Sequence, residues 1–218
     1  MIKAVLFDMD GTLIDSSPGI TRCAQHALAH YGINEPDLDS LRKFIGPPLW
    51  ESFVKYYGFS EDQAKEAVEV YRERYNVTGI FECELFPGTR ECLLALKEKG
   101  YLLAVTSSKP ELSCQRILEH FQILDLFDEV SGATFDGKIE TKEEVLKELF
   151  RRWSHIDPKE MILVGDTVFD VKGAVQVGID CIGVTFGFGE KKEMEEAGAV
   201  AFCDSMDELP KLIESMNE

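Results

Sequence analysis

The sequence predicts an α/β protein: a parallel sheet covered by helices on both faces, with an all-helical segment inserted after the first strand. Three observations carry that prediction. Four short apolar runs, Ala4–Phe7, Tyr101–Val105, Met161–Val164 and Cys181–Val184, have the length of fully buried strands rather than helices. Punctuated helical patterns lie between these runs, an alternation that produces parallel strands with crossover helices. From about Asp15 to Phe81, by contrast, every signal is helical. At 218 residues the chain suits a core domain with one modest insert.

Taken in order, Ala4–Phe7 is the first strand. Ser17-Pro18 starts a helix, Asp37 another and Pro47-Pro48 a third, and Ser60 with Gln63 caps a fourth that runs to about Asn76. Gly11 and Phe86-Pro87-Gly88 suit the two connections, which places the core at residues 1–14 with 85–218 and the insert at 15–84. Phe44, Trp50 and Phe53 within the insert read as core aromatics. Thr89–Lys99 stops at Gly100, a left-handed C-terminal signal. Pro110 opens Glu111–Phe121 at the first-turn position, where its missing N–H costs nothing. Thr141 with Glu144 forms a capping box for a helix to about Trp153, and Val168–Val177 stops at Gly178.

Composition narrows the function. With 44% apolar and 29% charged residues the chain reads as soluble and globular. Its formal charge of −17 argues against nucleic-acid and anionic-membrane binding, which need a basic footprint, and leaves room for a local small-anion pocket. No apolar run approaches the roughly 20 residues of a membrane span. Only Lys3 is basic near the N-terminus, and Asp8 and Asp10 interrupt its apolar stretch, so no signal peptide and a cytoplasmic location are expected. The six cysteines are scattered without a Cys-x-x-Cys pair and read as reduced thiols. His26 and His30 have a metal-ligand spacing, but Ala27 stands where a zinc-protease motif has glutamate, so the pair reads as a solvated helix face.

Ligands of open parallel sheets sit at the carboxyl ends of strands. Here those ends carry Asp8-Met9-Asp10-Gly11-Thr12, then Thr106-Ser107-Ser108-Lys109, then Gly165-Asp166-Thr167 with Asp170 a turn later, and finally Thr185 and Gly187-Phe188-Gly189. Singly, each has a bland reading: a hairpin turn at Asp10-Gly11, a polar loop, a strand exit. Together they bring several carboxylates to one edge, where mutual repulsion calls for a cation, and an oxygen-only donor set suits Mg²⁺ rather than zinc. Lys142, at the start of its helix, would add positive charge, and the set suits a phosphoryl group. Asp8 can attack phosphorus as a carboxylate nucleophile, while Asp10 protonates the leaving oxygen and later takes a proton from water. Ser107 and nearby amides would hold phosphoryl oxygens, Lys142 would bridge nucleophile and phosphate, and Asp166 would complete the metal shell.

Asp8-Met9-Asp10-Gly11-Thr12-Leu13 resembles the nucleophile motif of the haloacid dehalogenase superfamily, and Gly165-Asp166-Thr167 followed by Asp170 resembles its distal motif. The resemblance covers essentially the whole chain. It implies a Rossmann-like core, Mg²⁺, an aspartyl-phosphate intermediate, and an all-helical cap in place of the insert. Carried over by motif, Asp8, Asp10 and Lys142 are catalytic, Asp8, Asp10 and Asp166 hold the metal, and Ser107, Ser108 and Gly46 bind substrate. Thr106 competes with Ser107, and Lys138 with Lys142. Asp170 would support the metal shell or Lys142.

Asp10 fits a phosphatase rather than a carbon dehalogenase, and Ile45-Gly46-Pro47-Pro48-Leu49 lacks the arginine that similar mutases carry. With Lys109-Pro110, that segment is similar to the phosphoglycolate phosphatase group, including relatives described as 5′-nucleotidases. The expected function is therefore a Mg²⁺-dependent phosphomonoesterase of a small metabolite, with phosphoglycolate first and a nucleoside monophosphate second. A sugar-phosphate phosphatase or mutase, and a non-catalytic Mg²⁺/phosphate sensor, are the alternatives, and the intact Asp8 and Asp10 weigh against the sensor. A dinucleotide site is rejected because Lys192 breaks Gly-x-Gly-x-x-Gly after Gly187 and Gly189. The expected assembly is a monomer or homodimer.

Overall fold

The computed structural model describes residues 1–217. The chain divides into two compact units, Met1–Ile14 with Leu85–Glu218 and Asp15–Glu84. Strand β1 (Ala4–Phe7) leads to the two-residue β2 (Ile14–Asp15), and the second unit follows with α1 (Ser17–His30), α2 (Leu49–Tyr57) and α3 (Glu61–Tyr75). The chain returns through β3 (Glu84–Leu85), which pairs with β2. Then come α4 (Thr89–Glu98), β4 (Leu102–Pro110), α5 (Glu111–His120), β5 (Glu129–Ala133), α6 (Lys142–Arg152), β6 (Met161–Gly165) and α7 (Val168–Val177). Strand β7 (Asp180–Val184), α8 (Lys191–Ala197), β8 (Ala201–Cys203) and α9 (Leu209–Ser215) complete it.

Within the Asp15–Glu84 unit, small residues of α1 and α3 (Cys23, Ala24, Ala27, Ala64, Ala67) let the helices close on a core of Leu28, Leu41, Phe44, Phe53, Phe59 and Tyr71. Phe44 and Phe53 are core aromatics as expected, their rings 4.9 Å apart, whereas Trp50 is 45% exposed. Ser60 and Gln63 form the reciprocal cap of α3. The helix expected from Asp37 is a short 3₁₀ turn over Asp39–Phe44, because the Asp37 carboxylate accepts the Asp39 N–H and closes a local turn first.

The other unit is a six-stranded parallel sheet in the order β5-β4-β1-β6-β7-β8. Its edge strands β5 and β8 had no apolar run to announce them: Glu129-Val-Ser-Gly-Ala and Ala201-Phe-Cys are short and mixed. Pro110 ends β4 and caps α5 rather than occupying its first turn. On one face, Ala4, Leu6, Ala104 and Leu163 pack with Leu146, Leu149 and Trp153 of the α6 segment and with Val171 and Ala174 of α7. The six cysteines are free thiols, all buried except the half-buried Cys83. No helix among the described residues is long and apolar enough to cross a membrane.

Two features of the sheet bring residues that are distant in sequence to one edge. Strand β1 lies centrally, with β4 and β6 on its two sides, so the chain order switches there and opens a crevice at the carboxyl end of β1. The register is level: Phe7 is opposite both Val105 and Val164. Asp8, Thr106 and Gly165, each the next residue, therefore emerge together.

Candidate active site

Asp8 leaves β1 with its backbone N–H donating to the Val164 carbonyl at 2.9 Å, which fixes its height above the sheet. Its carboxylate is buried, and Oδ1 accepts from Lys142 Nζ at 2.5 Å. The same ammonium donates to the Thr106 carbonyl at 2.7 Å and pairs with Asp170 Oδ1 at 2.8 Å. Lys142 reaches this point because the Thr141–Glu144 capping box starts α6 one residue before it, leaving the lysine as the first helical residue. Lys138, the alternative from sequence, is exposed and pairs with Asp136.

Asp166 is fully buried after β6. Its Oδ2 accepts the Phe188 N–H at 2.8 Å, and its Oδ1 accepts a long bond from the Thr12 hydroxyl at 3.4 Å. Asp170 caps its own helix, Oδ2 accepting from Thr167 N and Oγ1 at 3.0 and 2.8 Å, while its other oxygen meets Lys142. Asp8, Asp166 and Asp170 each offer one oxygen within 4.8 Å of the others, and no other such group occurs among the described residues. His26 and His30 are exposed and belong to no such cluster.

The electrostatics of this cluster come from burial. The Asp8 carboxyl is pushed up to about 6 by burial, with Asp170 and Asp10 adding to the rise and Lys142 opposing it. Asp166 is pushed up to about 8 by burial and by the charges of Asp170 and Asp8, against the Phe188 N–H and Lys142. For Lys142 burial works against the charge, but Asp170 and Asp8 outweigh it and hold the ammonium well above its ordinary value. Asp8 and Asp170 thus share one ammonium, and the third buried carboxylate, Asp166, has no ammonium bonded to it. The remaining negative charge and the all-oxygen donor set are of a kind that could hold a hard divalent cation, and Asp8, Asp166 and Asp170 are the residues that could do so.

The other expected residues divide between the two units. Asp10 is in the same unit as Asp8, but its carboxylate lies outside the carboxylate cluster. Both of its oxygens accept from Lys109 Nζ, at 2.8 and 2.7 Å. Asp10-Gly11 is not a hairpin turn: Asp10 makes a parallel bridge to Ile14. Ser107 is buried, its Oγ accepting the Lys109 N–H at 3.3 Å, and Ser108 is exposed. Thr106 is fully buried and its hydroxyl has no hydrogen-bond partner among the described residues. Gly46 lies in the Asp15–Glu84 unit, in the exposed loop before α2, with φ of +99°.

Sequence reasoning misses the Lys109–Asp10 pair and the Phe188 N–H. A signal for the second is present, since glycines at 187 and 189 let the chain after β7 turn closely, but by sequence alone they bear only on a dinucleotide fingerprint. Nothing in the sequence points Lys109 at Asp10, ninety-nine positions away.

Comparison with known proteins identifies the family. The family model described as haloacid dehalogenase-like hydrolase matches residues 5–184. A 5′-nucleotidase of Pseudomonas aeruginosa is 41% identical over 211 residues, 97% of this chain and 95% of that one. Tyrosine-protein kinase PtkA of Mycobacterium tuberculosis is 36% identical over 209 residues, 95% of this chain and 71% of that one. A phosphoglycolate phosphatase of Nitrosospira multiformis is 31% identical over 221 positions, 98% of this chain and 96% of that one. The crystal structure of a predicted phosphatase from Clostridium acetobutylicum matches with a TM-score of 0.89 at 41% identity, covering 99% of this chain and 100% of that one. The chain belongs to the haloacid dehalogenase-like hydrolases and is a phosphatase of that family.

Proposed function

We propose that this phosphatase is a Mg²⁺-dependent phosphomonoesterase of small metabolites that works through an aspartyl phosphate on Asp8. The observation that carries the reading is the buried Asp8 carboxylate paired with Lys142 beside Asp166 and Asp170, at the carboxyl end of the central strand. A carboxylate pushed up by burial yet held by an ammonium is a poised nucleophile, not a packing residue. Mg²⁺ bound by Asp8, Asp166 and Asp170 would supply the positive charge that lets a phosphate dianion approach them.

In this reading the Asp8 oxygen attacks phosphorus and the bond to the leaving oxygen breaks, with Asp10 giving that oxygen its proton. Water then attacks the acyl phosphate, Asp10 takes its proton, and the Asp8 carboxylate is restored as phosphate leaves. Lys142 balances charge on Asp8 throughout. Thr106 has the better claim of the two competing hydroxyls as a phosphoryl donor, because its buried hydroxyl would otherwise go unsatisfied. Asp10 acts as acid and base rather than as a carboxylate metal ligand, a role for which Asp170 is the better candidate. The Asp15–Glu84 unit, with Gly46, is read as the cap that selects the substrate.

The relative named 5′-nucleotidase is more similar than the one named phosphoglycolate phosphatase, 41% against 31% identity, which puts nucleoside 5′-monophosphates ahead of phosphoglycolate. The test is phosphate release from nucleoside monophosphates, phosphoglycolate, sugar phosphates and p-nitrophenyl phosphate, with Mg²⁺ and with EDTA. Mg²⁺-dependent release that vanishes in a folded Asp8→Asn variant is expected. Release by Asp8→Asn at the parent rate would overturn the mechanism, and no release by the parent from any ester would overturn the function.

A further inference from the structure

Lysines are rarely buried unless paired, and the Lys109 side chain is only 9% exposed. Its ammonium is committed to both oxygens of Asp10, whose side chain is 24% exposed. The backbone that presents it is irregular. Strand β4 pairs with β5 through Ser107 opposite Gly132 and then Pro110 opposite Ala133, so Ser108 and Lys109 are extra residues in a bulge. Bulges beside functional sites re-aim side chains.

Several contacts hold this bulge in place. The Ser107 hydroxyl accepts the Lys109 N–H, and Cys114 Sγ donates to the Lys109 carbonyl at 3.8 Å. Gly132 has no room for a side chain, because a Cβ there would collide with the Lys109 carbonyl and the Glu111 backbone. Pro110 closes the segment with its φ restricted. A surface salt bridge needs none of this support.

We infer that Lys109 is a positioning residue for Asp10: the bulge of β4 presents its ammonium as the clamp that fixes where the acid–base carboxylate sits. The inference rests on the phosphomonoesterase reading and deepens it. Acting as the acid requires one Asp10 oxygen to stay on Lys109 while the other, carrying a proton taken from solvent, turns to the leaving oxygen, and removing a positioned acid costs roughly 10²–10⁴-fold. The loss depends on the leaving group. An alkoxide needs a proton as the P–O bond breaks, whereas a nitrophenolate leaves almost unaided.

The experiment compares kcat/KM of the parent and Lys109→Met with two Mg²⁺-supported substrates. One is p-nitrophenyl phosphate, and the other is the fastest alkyl ester among AMP, phosphoglycolate and glycerol 3-phosphate. Because kcat/KM reports only the steps through loss of the leaving group, the later hydrolysis does not mask the effect. The alkyl ester should lose at least about tenfold and the aryl ester less than about threefold, a split in the sense expected for general acid catalysis. In an Asp10→Asn background, Lys109→Met should add nothing, since it acts through Asp10.

Equal losses on both esters, or additive losses in the double variant, would each overturn the inference while leaving the phosphatase reading intact. So would a parent that cleaves only the aryl ester. A parent that cleaves neither ester would overturn both. Should Lys109→Met fail to fold, Lys109→Gln, which keeps a donor without the charge, is read on the same substrates by the same criteria.

Discussion

Asp166 illustrates what burial does to a single carboxylate. With no solvent access and with Asp170 and Asp8 nearby, its carboxyl is pushed up to about 8 from 3.8. A folded value above the unfolded one means the group's contribution to stability is full below about pH 4 and is lost as the pH rises through about 8. In EDTA, Asp166→Asn should therefore melt several degrees above the parent at pH 8, at roughly 2–4 °C per kcal/mol for a chain of this size. The difference should narrow at pH 5 and vanish only below about pH 4, where the carboxyl is protonated in both the folded and the unfolded chain. Mg²⁺ should raise the melting temperature of the parent at pH 8 and leave the variant nearly unmoved. Thermal melts at the two pH values, with EDTA and with Mg²⁺, check all three outcomes, and equal melting of parent and variant at pH 8 in EDTA would remove the electrostatic account. Lys142 behaves differently: held above its ordinary value by Asp170 and Asp8 against burial, it stays charged across the neutral range. Lys142→Met should abolish turnover and destabilise the fold, because two buried carboxylates then lose their shared counter-charge.

At the scale of elements, α6 acts as the holder of Lys142. Its start is set by Thr141, whose hydroxyl accepts the Glu144 N–H while Glu144 reaches back to the Thr141 N–H. Thr141→Ala should cost about 0.5–2 kcal/mol of stability, the usual value of a lost N-cap, read by chemical denaturation. Helix α7 supplies the other wall. A Cβ at Gly173 would lie 2.5 Å from Lys142 Cγ and 2.8 Å from its Cβ. Gly173→Ala would ordinarily strengthen a helix by about 1 kcal/mol, but here it must push the lysine stem away from Asp8. We expect circular dichroism like that of the parent and phosphatase activity reduced at least about tenfold, the scale on which small misplacements of reacting groups are felt. Unchanged activity would show that α6 can shift without moving Lys142.

The whole sheet is what gathers the site, and β1 is its pivot. Level pairing of Phe7 with Val105 and Val164 carries Asp8, Thr106 and Gly165 to one height, none of them near another in sequence. The sheet unit closes on itself where the chain leaves it: Phe86 N donates to the Leu13 carbonyl at 3.1 Å, so the ends flanking the Asp15–Glu84 unit are adjacent. Replacing residues 15–84 by a linker of about four glycines should therefore give a folded α/β unit, since so short a loop adds little closure entropy. Cooperative thermal unfolding and Mg²⁺ stabilisation of that variant are the measurements. A molten product that melts without cooperativity would mean the sheet requires the inserted helices.

Legibility in the sequence depended on the physics of each element. The four central strands are buried on both faces, so they appear as continuous apolar runs, and helices α3, α6 and α7 carry their own punctuation in Ser60, Thr141 and Gly178. Edge strands β5 and β8 need no such run, because one side of each has no strand neighbour and their short lengths tolerate mixed residues. Asp8, Asp166 and Lys142 could be named as candidates because chemistry restricts which residue types serve at strand ends and helix starts. Their partners could not. That Lys142 rather than Lys138 reaches Asp8, that Asp170 rather than Asp10 completes the carboxylate cluster, and that Lys109 clamps Asp10 are matters of register, helix phase and one bulge. Local sequence determined which chemical groups and which elements the chain contains, because propensity, burial pattern and capping act over a few residues. Only the tertiary structure decided which of those groups meet, because a contact between distant residues is set by how whole strands align and helices pack.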